Sequence, residues 1–342
     1  MTSAMLRLSR AVSRYCGVKR LFGSGGKGPT VLFYHGVEEN IIDRDVQMLH
    51  MPQRVFEKQI AFLRQHREVI SMDHLYECIV NRYGLEPRQV VLTFDDGYKN
   101  NLRVVAPLMK AWNLPFTIFV STRHISESLR FPTYYIRVAT LYTERRHIHL
   151  NSVQKTFDLT THEKRLAAAE AIAEVAKRAP LELVKRITAE CVDQLAPEKW
   201  AELNARFSSD EPMSWDDVIR TTSMGATIGS HCHDHCVLHS NQPDGEVHRQ
   251  LANSKAAVEK NVGECRYMAY PNGRVDDVSS VAHSAANFAQ FRMAFSTVER
   301  EVTQDVDSFL VPRIFAVPEY EEFCYQQQQR PHHRLAALSA PY

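Results

Sequence analysis

Short, unbroken apolar runs recur along the first third of the chain, each stopped by polar or turn-forming residues. "TVLFYHGV" (30–37) ends in His35 and Gly36, "RQVVLTFDDGYKN" (88–100) ends in Asp-Asp-Gly, and "LPFTIFVST" (114–122) is a third such run. Between them the spacing changes from strand-like to helical. Phe56, Ile60 and Leu63 fall on one face over 51–66, "SMDHLYECIV" (71–80) reads as a short helix with Asp73 as a candidate cap, and "NLRVVAPLMKAWN" is helical. Buried strands alternating with amphipathic helices predict βα units, and hence a parallel sheet or barrel.

The middle of the chain breaks that rhythm. "HIHLNSVQKTFDL" (147–159) alternates like a hairpin with Asn151-Ser152 near its turn, and residues 161–195 are strongly helical with a break at Pro180. Residues of about 125–212 therefore read as a helical/hairpin insertion, a lid or substrate wall on the main domain. The βα rhythm then returns, with "MSWDDVIRTTSMG" and "EVHRQLANSKAAVEKNVG" as helices and "ATIGSHCHDH", "CRYMAYPNG", "FRMAFSTVE" and "SFLVPRIFAV" as strands with their loops. The resulting division is a basic segment and linker over 1–29, a main domain over 30–320, and a polar tail over 321–342, whose biased composition predicts disorder.

Composition narrows the function classes. The chain has 342 residues, 44% hydrophobic and 24% charged, with a net charge of +1. That balance suits a soluble globular protein and gives no support to a nucleic-acid partner, which calls for a basic excess. The seven cysteines (16, 78, 191, 232, 236, 265 and 324) are scattered and odd in number, a usage that fits a reducing compartment. No apolar run reaches the roughly 18 residues a membrane span needs. In the N-terminal segment Met5, Leu8, Val12, Tyr15 and Cys16 oppose Arg7, Arg10 and Arg14 at helical spacing. Such a helix either rests on an anionic membrane surface or caps the domain.

Two stretches carry candidate chemistry. "SHCHDH" (230–235) places His231, His233 and His235 in a loop that leaves a strand, with Cys232 and Asp234 between them. A thiolate site using Cys232 and Cys236 lacks a second Cys/His pair at suitable spacing. "TFDDG" places Asp95 and Asp96 at the C-terminal end of a strand, where the loops of a βα barrel build its site. Adjacent strand residues point to opposite faces, but Gly97 permits a turn that aims both carboxylates at one pocket. Taken alone, Asp-Asp-Gly is also an ordinary turn. Paired with His231 and His235, Asp96 completes a two-histidine, one-carboxylate set suited to a divalent metal.

"FYHGV", "TFDDG", "SHCHDHCVL", "MAYPNGR" and "FLVPRI", in this order, resemble the polysaccharide deacetylase (NodB-homology) family over about residues 30–318, most of the insertion excepted. The resemblance implies an α/β fold, an irregular (β/α) barrel carrying a helical/hairpin insertion, and removal of an N-acyl group, N-acetyl foremost, from an amino sugar. It implies a divalent metal, zinc first with cobalt, manganese or nickel as alternatives, held by Asp96, His231 and His235. Asp95 is then the general base, His35 the acid that protonates the leaving amine, and Tyr270, Pro271 and Asn272 the segment whose backbone N–H meets the oxyanion. Arg313 either orients Asp95 and meets substrate or makes a salt bridge on the barrel rim. Cys232 stands where the family carries Ser or Thr, and Cys236 where it often carries Pro. His233 matches nothing in the pattern and is expected in solvent or in supporting hydrogen bonds.

The expected partner is an acylated amino-sugar glycan or glycolipid. A non-haem iron oxygenase uses the same ligand types but on a jelly roll, which the α/β rhythm disfavours. A catalytically weak carbohydrate- or metal-binding member of the same fold is the other alternative. Cysteine usage and the lack of a signal-like apolar segment lead to an expected cytoplasmic location, with residues 5–22 in peripheral contact with the inner face of the membrane.

Overall fold

The computed structural model describes residues 28–328. The amphipathic segment expected within residues 5–22 and the part of the tail beyond 328 fall outside that range. In chain order the strands are β1 (Thr30–Tyr34), β2 (Gly36–Glu38), β3 (His50–Pro52), β4 (Glu68–Val69), β5 (Gln89–Phe94) and β6 (Phe116–Val120), then β7 (His147–Leu150) and β8 (Lys155–Asp158). β9 (Ala226–Ser230), β10 (Tyr267–Ala269), β11 (Met293–Phe295) and β12 (Ile314–Phe315) follow. One parallel sheet runs β11-β10-β9-β6-β5-β1-β12, with β4 beside the start of β5. A further parallel bridge from Phe295 to Val311 ties β11 to the segment entering β12, so the sheet curls into an irregular (β/α) barrel.

Both faces of the sheet are buried, which is why its strands read as unbroken apolar runs. The period of two sorts them. Leu32 and Tyr34 of β1 and Leu92 and Phe94 of β5 pack against the helices, whereas Val31 and Val91 join Phe119, Tyr267 and Phe295 in the barrel interior. Pairing in register, Val31 with Val91 and Phe33 with Thr93, keeps each set on its own face. This alternation fixes where the site can form, because it carries Phe33 and His35, and Thr93 and Asp95, along the interior line.

The insertion packs around its own core. Helices Pro132–Tyr142, His162–Arg178, Leu181–Val192 and Pro197–Arg206 and the β7–β8 hairpin bury Ile136, Ile148, Leu150, Ile172, Ile187 and Leu203 together. Pro180 separates the second and third of these helices, as its missing N–H and fixed φ require. Arg137 donates to the Asp45 carbonyl at 2.7 Å, and Tyr142 to the Asp43 carboxylate at 2.6 Å, which seats the insertion on the loop after β2.

Two local expectations change. The helix Met72–Val80 is capped by Ser71, whose hydroxyl accepts from the His74 N–H; Asp73 lies in its first turn and pairs with Arg266 instead. The chain from 321 is helical over Tyr320–Gln328 rather than disordered. Phe323 is fully buried, 6.2 Å ring to ring from Phe62. Gln327 is buried and accepts from Arg67, and Gln326 donates to the Phe315 carbonyl; together these contacts dock the polar helix.

Candidate active site

Asp95 ends the interior line of β5, and Asp96 would point to the opposite face if the strand continued. It does not, because Asp96 itself takes a left-handed conformation (φ 75°), followed by Gly97 at φ 79°. Asp is among the few residues that tolerate this region, and such strain gathers at functional sites. A side chain on Gly97 would also press on Val120 at 3.0 Å. The turn thus falls one residue earlier than Gly97 alone suggests, and it swings both carboxylates into one cavity.

The histidine loop is bent in the same way, with Cys232 at φ 62° and His235 at φ 51°. His231 is buried against the barrel, its Nδ1 2.8 Å from the Ala269 carbonyl. A carbonyl only accepts, so Nδ1 carries the proton and the Nε2 lone pair faces Asp96 Oδ1 at 3.6 Å. His235 Nε2 lies 3.1 Å from the same oxygen. Ligand atoms of Asp96, His231 and His235 all lie within 4.8 Å of one another. Asp96 Oδ1 is buried without a well-directed hydrogen bond, an expensive state for a carboxylate oxygen unless a cation faces it. Burial lowers the His231 imidazole to about 4, and it also opposes ionisation of Asp96, which His235 nevertheless holds well below the usual carboxylate range. Neutral imidazole and ionised carboxylate are the forms that bind a metal. The residues therefore fit a divalent ion.

His233 stays out of this group. Its Nδ1 lies 2.8 Å from the Thr122 hydroxyl, and its carbonyl accepts from the Arg123 N–H, so it braces the loop. Cys232 and Cys236 are also apart from it. Burial pushes both thiols up, Cys236 to about 12, so neither is a ready thiolate ligand.

Asp95 has a different environment from its neighbour. Arg313 donates to both its oxygens, at 2.7 and 2.8 Å, and to the Ser296 carbonyl and the Thr93 hydroxyl. The guanidinium is fully buried between the rings of Phe33 and Phe119, with its carbon 4.8 and 5.4 Å from their centres. Of the two sequence readings for Arg313, the rim salt bridge is therefore replaced by an interior clamp on Asp95; it supports the carboxylate from behind and does not line the cavity. Burial opposes ionisation of Asp95, but the charge and hydrogen bonds of Arg313, with smaller contributions from His231 and His35, together keep the carboxyl below its ordinary range. The clamp secures the charged form at some cost in basicity.

His35, at the end of β1, lines the same cavity as Asp95, Asp96, His231 and His235. Its Nδ1 is buried with no hydrogen-bond partner. Burial lowers its pKa despite the opposing pull of Asp96 and Asp95, so the ring is neutral at rest. The "YPNG" turn contributes less than its three candidate residues. Tyr270 packs in the core and neither it nor Pro271 reaches the cavity, while Asn272, left-handed at φ 57°, stands on the wall. Gly273 N–H to the Pro271 carbonyl and Thr297 N–H to the Gly273 carbonyl fix that turn. Arg266 pairs with Asp73 and Glu264, away from the site.

His124 and Phe131 belong to no motif. Their rings stack at 4.3 Å, and Phe131 meets the His235 ring edge-on at 5.0 Å, holding that imidazole in place. The turn after β6 places His124, and the start of the insertion folds Phe131 back onto it. A cavity of about 560 Å³ joins this cluster to the insertion helices.

A sequence model described as polysaccharide deacetylase matches residues 82–293. Among solved structures, IcaB from Ammonifex degensii superposes with a TM-score of 0.57 at 16% identity, over 90% of this chain and 99% of that one. The Streptococcus pyogenes deacetylase PplD, in complex with acetate, gives 0.57 at 14% identity, over 88% and 98%. BC0361, a polysaccharide deacetylase from Bacillus cereus, gives 0.50 at 15%, over 88% and 69%. No curated protein matches in sequence. At these identities the structures bear on the fold, and the sequence model bears on the family. The chain belongs to the polysaccharide deacetylase family, and its α/β architecture is the irregular barrel of that family.

Proposed function

We propose that the protein is a metal-dependent amidohydrolase that removes an N-acyl group, acetyl foremost, from an amino sugar in a glycan or glycolipid. The observation that carries this is the convergence of Asp96, His231 and His235 beside a carboxylate, Asp95, that Arg313 holds ionised in the same cavity. Asp96, His231 and His235 would hold the ion, and the donor set suits zinc, with cobalt, manganese or nickel as substitutes. A divalent ion there supplies Lewis acidity toward an amide carbonyl and toward water.

The chain's own residues would do the rest. Asp95 accepts a proton from the attacking water, and Arg313 keeps it oriented. The Asn272 backbone N–H donates to the developing oxyanion. The proton that Asp95 takes from the water reaches the departing nitrogen through His35, which rests neutral and can accept it before passing one on. A non-catalytic binder of the same fold would need the ligands but not Asp95 or His35 on the cavity. Asp95→Asn separates the two readings. Acetate release from N-acetylated oligosaccharides is expected to fall roughly 10²- to 10⁴-fold, with metal content unchanged. Undiminished release would remove Asp95 from the role of base.

A further inference from the structure

The cavity that contains the ligand triad is lined on its other side mostly by apolar carbon, with Tyr135, Lys177, Thr188 and Asp193 as polar groups among it. Phe131 and Ile136, Ala173 and Ala176, and Leu181 and Val184 line it from three successive parts of the insertion. Ala173 and Ala176 lie three apart on the helix His162–Arg178, so their small side chains leave room along one face. The cations bordering this region are already engaged. Arg123 pairs with Glu127 and Asp234, Arg130 with Glu211 and two backbone carbonyls, and Lys185 with Glu182. A sugar ring needs polar partners for its hydroxyls, and a phosphate-linked lipid needs unpaired cations. This wall offers chiefly apolar surface, with few polar groups.

We infer that this part of the cavity takes the acyl group of the substrate, and that it extends the reaction beyond acetyl to longer aliphatic chains. The inference rests on the proposed amide hydrolysis and names its substrate class. An acyl chain begins at the carbonyl carbon, which that reading puts beside Asp96, His231 and His235, and these residues share the cavity with the apolar wall. A lipid attached elsewhere on the sugar would have to cross the ring before reaching it. At about 560 Å³ the cavity falls within the rough 300–1,000 Å³ of small-ligand pockets, which leaves room for a sugar ring and an acyl chain together. In the reaction, water adds to the carbonyl carbon, the C–N bond breaks, the amine takes a proton, and the chain leaves as a medium-length carboxylate.

The test is a glucosamine oligosaccharide acylated with acetyl, butanoyl, hexanoyl or octanoyl groups, run beside the octyl glycoside of N-acetylglucosamine on metal-loaded protein. kcat/KM is expected to rise about three- to fourfold per buried methylene, with no gain from the octyl aglycone. In Ala176→Phe and Val184→Trp, each compared with its own acetyl rate, the octanoyl-to-acetyl ratio is expected to collapse toward one. A flat series in the wild type, or a gain confined to the octyl glycoside, overturns the inference. Should no amide of any length be cleaved, the proposed hydrolysis fails on its own. Calorimetric binding of N-octanoyl- and N-acetylglucosamine to metal-stripped protein then decides the cavity: tighter octanoyl binding supports it, equal binding overturns it.

Discussion

The barrel and the insertion both bury apolar residues, but they differ in the charge they enclose. Inside the barrel a fully buried guanidinium, two carboxylates and an imidazole sit among Phe33, Phe119 and Thr93. In the insertion the core is aliphatic around Ile172, Ile187 and Leu203, and its buried Arg130 and Arg137 reach backbone carbonyls of adjoining segments. Charge buried in the barrel costs stability and is held only by good pairing. What this arrangement supplies is orientation: Arg313 fixes Asp95 while leaving Asp96 to face the histidines. The insertion contributes shape instead, a wall whose chemistry is satisfied by almost any aliphatic side chain.

The sharpest way to break this contrast is to remove the clamp. Arg313→Met leaves Asp95 charged and unpaired in the interior, and a loss of about 3–5 kcal/mol is expected in denaturant unfolding. A loss within 1 kcal/mol would mean that the pair is not isolated from water. The matching change in the insertion is Ile187→Ala, at a fully buried position, with an expected cost of about 2–5 kcal/mol. The two variants should diverge in function. Below its melting temperature Ile187→Ala should keep metal stoichiometry and acetate release, whereas Arg313→Met should lose activity even where folded. Equal losses of activity would show that the two cores act as one. The smallest effect lies where the chain re-enters the barrel. Ser214 and Asp217 form a reciprocal cap on the helix Trp215–Thr222, and Ser214→Ala is expected to cost about 1 kcal/mol with no change in metal binding.

The same contrast explains what could be read from the sequence. Catalysis demands particular residue types at fixed spacing, so Asp95, Asp96, His231 and His235 stood out, and alternating apolar runs disclosed the barrel that carries them. Arg313 was visible only as part of a motif, because its contact with Asp95 spans 218 positions and its burial follows from curling of the sheet. The left-handed conformation at Asp96 was hidden for a local reason, since Gly97 is the residue that ordinarily makes such a turn. His124 and Phe131 were illegible, because their approach to His235 depends on the turn after β6 and on how the insertion folds Phe131 back. At Phe323 composition misled: a glutamine-rich segment has little tendency to order by itself, but an aromatic ring seated on Phe62 and hydrogen bonds made by Gln326 and Gln327 anchor it.

The central claim is that Asp96, His231 and His235 form one metal site on which hydrolysis depends. It is tested most directly by stripping the protein with chelator, measuring acetate release from N-acetylated oligosaccharides, and repeating after zinc, cobalt or manganese is restored with bound metal counted. The account predicts release that vanishes on stripping and returns with about one metal per chain. Release that persists undiminished in stripped protein, or a chain that binds no metal, would contradict it.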